Sequence, residues 1–187
     1  MSQQQPESHT QLKLRANWVN MAIALGACML VVFLALAFVP RPETEFERVV
    51  DHVAIAESVA GGEEGADFDL AVPTLPTDWV ANEATYKPMG EPALVTWYAS
   101  FIGPQQQWVS LRQAADTTGD WADSMLDDDM VESRTETVAG TEFTVHQNSG
   151  SRVAYVGTAS DTTLVFIGTG TVESFEAVIT SALDSLA

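Results

Sequence analysis

Between Trp18 and Val39 the chain reads WVNMAIALGACMLVVFLALAFV, 22 residues without a charge, with Asn20 its one strongly polar side chain. At ~1.5 Å per residue a helix of this length is about 33 Å long, enough for the hydrocarbon core of a bilayer. In lipid such a segment must be helical, because only then are its backbone groups satisfied internally. The run therefore predicts one N-terminal transmembrane helix over 18–39. Trp18 falls where an interfacial aromatic belongs, and Pro40 ends the helix.

Lys13 and Arg15 precede the run, and Arg41 and Arg48 follow it. The earlier pair is closer together and sits on a short tail, so residues 1–17 are read as cytoplasmic and the rest of the chain as extracytoplasmic, on a single-pass protein of the cell membrane. Two processing signals are weaker. Ala35-Leu36-Ala37 resembles a signal-peptidase site, but the apolar run before it is longer than a typical signal-peptide core. Leu25-Gly26-Ala27-Cys28 resembles a lipobox, but an apolar stretch follows the cysteine instead of a polar mature chain. Ala22 and Gly26 form one small-xxx-small pair of the kind that supports helix pairing.

Charge separates the two ends of the chain. There are 8 basic and 26 acidic residues, for a formal net charge of −18. Up to residue 17, Lys13 and Arg15 stand against Glu7; beyond residue 39, 6 bases stand against 25 acids. A surface so acidic repels phosphate backbones, which disfavours nucleic-acid partners. The lone Cys28 excludes an intrachain disulfide and any cysteine-based metal site.

Beyond the anchor, residues 40–67 read as a stalk helix and a glycine-rich hinge. Phe46, Val49, Val50, Val53 and Ala54 have amphipathic-helix spacing, in a helix that either rises from the membrane or folds back on the domain. Gly61-Gly62-Glu63-Glu64-Gly65 ends it. Residues 68–187 form the extracytoplasmic domain. Leu70 to Trp79 is extended, with prolines that assign it to a sheet edge. Ala93–Ile102 alternates, with Val95, Trp97, Ala99 and Phe101 on one face. It returns through Gly103–Gln107 as a strand over Trp108–Gln113. Asp120 is placed to cap a helix through about Met130, with Asp123 at N3 and Trp121, Met125 and Leu126 inward. Strands over 142–147, 152–158 and 162–169 follow, then a helix from Val172 with Phe175, Ile179, Ala182, Leu183 and Leu186 on its stripe. The whole predicts an α+β fold, an antiparallel sheet packed with helices on one face.

The segments VPTLPTDWVANEATY, WYASFIGPQQQWVSLRQA and TVAGTEFTVHQ, with the closing strand and helix, resemble a family of actinobacterial single-pass membrane proteins of unknown function. The resemblance covers residues 18–187, and its most specific element is the Pro-x-Leu-Pro-x-x-Trp turn from Pro73 to Trp79. Many members carry a glycine where this chain has Asp78. The resemblance implies the anchor and the domain order. It implies no activity and no catalytic residues.

Residues able to do chemistry are few. His9 falls in the tail, His52 in the stalk and His146 on a strand facing away from Val145. No nucleophile elbow, zinc-binding helix or phosphate loop occurs. Asp123, Asp127, Asp128, Asp129 and Glu132 are the one acidic concentration, and without the calcium-loop pattern they read as a solvated helix end. No catalytic, metal or cofactor site is therefore expected, and no cofactor. Trp97 reads as core. Trp108 shares its strand face with Ser110 and Arg112 beside Tyr98, and an aromatic near an arginine is a common beginning of a recognition surface. The expectation is a non-enzymatic binding or scaffold module of the cell envelope, with Trp108, Tyr98 and Arg112 toward a protein or glycan partner. The alternative is a small-ligand or lipid carrier with a pocket between sheet and helices.

Overall fold

The computed structural model describes residues 9–38, 49–62 and 65–187. The chain divides into two compact units, Met1–Glu45 and Phe46–Ala187. Expectations for Pro40, for Phe46 and for Glu63 and Glu64 of the hinge lie outside the described residues.

The first unit contains helix α1, His9–Phe38. Among the described residues no helix is long and apolar enough to cross a membrane. On α1 the described side chains are Trp18 and residues 20–34. Within that stretch Met21, Ile23, Leu25, Leu30 and Phe33 point in different directions around the helix and are each 63–65% exposed, so this part of α1 has no polar face.

The second unit is an α+β domain. Its strands are β1 (Val80–Met89), β2 (Leu94–Ile102), β3 (Trp108–Ala115), β4 (Val131–Val138), β5 (Thr141–Gln147), β6 (Val153–Ala159) and β7 (Thr162–Gly168). They form one antiparallel sheet in the order β1-β2-β3-β7-β6-β5-β4. Two meanders thus meet at the β3–β7 pair. Two-residue turns close two of the three hairpins of the second meander, β4–β5 through Ala139–Gly140 and β6–β7 through Ser160–Asp161. All four residues have positive φ, the backbone of a turn whose twist matches the flanking strands.

One sheet face carries the main core. Trp97, Phe101, Leu111, Phe143, Tyr155 and Phe166 point into it, and Phe175, Val178, Ile179 and Ala182 of α4 (Val172–Asp184) meet them. Thr171 caps α4, its Oγ1 accepting from the Ser174 amide at 3.3 Å. Helix α2 (His52–Ala60) takes the folded-back disposition of the two open to the stalk, but with a different apolar stripe. His52 and Ala56 are buried, with Ile55 and Val59 packed beside them, while Val49, Val53 and Ala54 are exposed. The spacing is that of the expected stripe; the phase differs because the polar His52, and not Val53, faces the core. Asp51 caps it, accepting from the Ala54 amide at 3.0 Å, and residue 50 is still extended, its amide donating to the Ala81 carbonyl at 2.8 Å.

Residues 69–74 also depart from expectation. They are extended, but they run as a strap over the core face instead of along a sheet edge, and side chains satisfy their backbone. Gln113 Oε1 accepts from the Ala71 amide (2.7 Å), and its Nε2 donates to the Asp69 carbonyl (2.9 Å) and to Thr162 Oγ1 (3.0 Å). Trp97 Nε1 donates to the Ala71 carbonyl at 2.9 Å. Ser185 and Ser181 of and beyond α4 accept from the amides of Val72 and Thr74, at 2.9 and 2.7 Å. The Pro73 carbonyl accepts from His52 Nε2 at 2.9 Å. A buried backbone without a ladder must find partners of this kind. At the strap's end Trp79 donates its amide to the Pro76 carbonyl, with Asp78 at φ 68. That left-handed backbone is open to glycine and tolerated by aspartate.

The opposite face is covered in part, not left bare as the one-face expectation had it. Helix α3 (Gly119–Ser124) and the turns after it place Trp121 and Met125 on Ala114, Ala154, Val165 and Ile167. The helix is shorter than expected: it stops at Ser124, and successive turns carry the chain to Met130. Its cap position is Thr118, without a side-chain bond, and not Asp120.

Candidate functional site

Tyr98, Arg112 and Trp108 lie on this second, thinly covered face. Tyr98 on β2 and Arg112 on β3 are direct partners in the ladder, and the guanidinium carbon sits 5.4 Å from the phenol ring centre. Arg112 donates from Nη1 to Ser110 Oγ at 3.0 Å, and Ser110 in turn donates to the Ile167 carbonyl at 3.0 Å. No carboxylate pairs with Arg112 among the described residues. Burial pushes its guanidinium below the ordinary arginine value, against the opposing pull of Tyr98 and Asp127. Thr85, opposite Tyr98 on β1, has a buried hydroxyl without a hydrogen-bond partner among the described residues.

Trp108 is not beside Tyr98. Its ladder partner is Ile102, four residues further along β2, so it stands roughly 13 Å from Arg112 along the strand. A second cation covers it: the guanidinium carbon of Arg152 lies 5.6 Å from the Trp108 ring centre. Arg152 is held by Asp127, Nη1 to Oδ2 at 2.7 Å, and this bond raises the arginine's pKa above its ordinary value. Two arginine–aromatic pairs thus share one face, with Asp127 near both guanidinium groups. All three of the expected surface residues are half-buried. Arg152 and Asp127 complete the arrangement, and nothing in strand alternation points to either. Asp127 was grouped with the acidic run, and 40 residues separate Arg112 from Arg152 in sequence.

Other candidates resolve differently. His52 is a buried bonding residue of the core, 8% exposed, its ring edge-on to Phe101 at 5.4 Å between centres. His146 lies on the α3-side face, opposite Glu132 and Ala154. Asp123 and Asp127 do not share a helix, since α3 ends between them. Among the described residues no three acidic, histidine or cysteine side chains are grouped to hold a metal ion. Two clefts lie beside the sheet: one of about 640 Å³ at Phe68, Tyr86 and Lys87, and one of about 670 Å³ lined by Thr117, Thr144, Thr158 and Thr163.

Fold and site together define a seven-stranded antiparallel α+β domain with one face given to its core and the other to a sparse aromatic–arginine arrangement. The chain belongs to the family described as Protein of unknown function (DUF4245), whose model matches residues 13–182. No curated protein and no solved structure matches it.

Proposed function

We propose that the chain is a single-pass membrane protein whose domain faces outward as a binding or scaffold module of the cell envelope. The observation that carries this reading is α1. A helix apolar on all sides needs an apolar surround, and the uncharged run extends in sequence to Val39. The family match begins at residue 13 and so includes this segment with the domain. Lys13 and Arg15 on the short tail favour a cytoplasmic N-terminus.

The partner face in this reading is the α3-side face, with Trp108, Tyr98 and Arg112. Arginine and large aromatic side chains dominate binding energy at many interfaces, and Arg112 has donors left over for a protein or glycan acceptor. The acidity of the chain argues against nucleic acid. No step of the role requires catalysis.

Single-cysteine labelling tests the topology. In a Cys28→Ser background, Ser149→Cys should react with a membrane-impermeant maleimide on intact cells, and Ser8→Cys only after permeabilisation. Protection of Ser149→Cys in intact cells, or release of the protein from membranes by carbonate, would overturn the reading.

A further inference from the structure

The two edges of the sheet are finished differently. At β1 the Ala81 carbonyl accepts from the Val50 amide, the ladder is broken by a bulge between Ala81 and Glu83, and Pro88 has no N–H to offer. At the other edge β4 pairs with β5 alone, and no further backbone bond reaches it among the described residues. Its sequence is VESRTETV, exposed from Val131 to Thr135 and at Thr137. Arg134 and Glu136 lie on the strap-side face, opposite Val145 and Phe143, with Nη2 and Oε2 2.9 Å apart.

From this edge we propose that β4 is a self-pairing surface, on which a second copy of the chain adds its own β4 antiparallel, about a two-fold axis through Thr135. An axis perpendicular to the sheet keeps each face on its own side, so residues that oppose each other must share a face. Centred on Thr135, the pairing sets Arg134 against Glu136 of the second copy, and Glu136 against its Arg134. Thr135 faces itself, and Ser133 faces Thr137. Centring on Arg134 sets two arginines together, and centring on Glu136 sets two glutamates together; both are destabilising as direct cross-strand neighbours. Of these three registers one alone is complementary, and it is complementary twice. That double match selects a second copy over an unrelated extended peptide.

The net charge of −18 on each copy opposes association, but salt screens it beyond about 8 Å, whereas the cross-strand pairs are in contact. A single strand pair falls short of the roughly 1,200 Å² of a stable free interface. Crosslinking in place is therefore the suitable measurement. The inference does not depend on the partner face, because β4 lies at the far edge of the sheet from β2.

The test uses the full chain in its native membranes with Cys28→Ser. Two Thr135 Cα atoms directly opposite are about 4.5–5.5 Å apart, within disulfide range. Two Thr137 Cα atoms are offset by four residues, roughly 13 Å, and out of range. Under mild oxidation Thr135→Cys should form a disulfide dimer at least ~10-fold faster than Thr137→Cys, a margin set by those two separations. Adding Arg134→Glu, or separately Glu136→Arg, should suppress the dimer, and the double exchange Arg134→Glu/Glu136→Arg should restore it, with folding checked by circular dichroism. Equal rates at 135 and 137, or a dimer indifferent to Arg134→Glu in folded protein, would overturn the proposal.

Discussion

The two faces of the sheet are built by opposite means. On the strap side, α2, α4 and residues 69–74 cover it, and the large side chains beneath, Trp97, Phe101, Leu111, Phe143 and Phe166, are fully buried. Polar atoms there are few and committed: Gln113 spends both ends of its amide on the strap and Thr162. On the α3 side a six-residue helix and a run of turns do the covering. Trp121 is buried beneath that cover, but Tyr98 and Trp108 are half-buried, and an arginine lies against each of them. One face is organised to hold the fold, and the other is stable enough to persist while leaving donors and ring surface free.

That contrast can be broken by mutation. Trp97→Ala should cost about 3–5 kcal/mol, the range for a large aromatic removed from a packed interior, read by urea denaturation of the full chain in detergent. A loss below about 1 kcal/mol would show that the strap-side face is not the structural one. Gln113→Leu keeps the volume but strands the Ala71 amide and the Asp69 carbonyl, while the Thr162 hydroxyl keeps its bond to the Ala159 carbonyl at 2.8 Å. A loss of roughly 2–4 kcal/mol is expected, with exchange protection at Ala71 reduced first. On the other face Arg152→Ala removes an exposed ion pair and the cover of Trp108. Stability should change by no more than about 0.5 kcal/mol, and less in high salt. An increase in Trp108 quenching by iodide would accompany it.

How far this architecture is legible in the sequence follows the same division. Wherever one face of a strand is buried, the alternation is visible: β2 and β7 fall within the expected segments, and β3, β5 and β6 overrun theirs by only one or two residues. The two edge strands are not. In β4 only Val138 is buried, so VESRTETV has no apolar period to read. In β1 the bulge between Ala81 and Glu83 shifts the alternation near the start of the strand, and Asn82, Glu83 and Pro88 look like loop residues. Helix α2 has the right period and the wrong phase, because its stripe includes His52, which as a polar residue is not counted as core. The strap is illegible for another reason. Its partners, at positions 52, 97, 113, 181 and 185, are brought together by the tertiary fold alone. Of the site, Trp108, Tyr98 and Arg112 share the face that strand alternation assigns to them. Their separation into two pairs depends on register, and on Arg152 and Asp127 from elsewhere in the chain.

The most direct test of this account separates folding from recognition at one residue. Trp108→Ala in the full chain should retain a cooperative unfolding transition within about 1–2 kcal/mol of the parent, as suits a half-buried side chain. In native membranes, gentle crosslinking should then no longer yield the partner adduct that the parent chain forms and an anchor-only control does not. Loss of the folded domain in this variant would make Trp108 part of the core. A folded variant with an undiminished adduct would remove the α3-side face as the site of recognition.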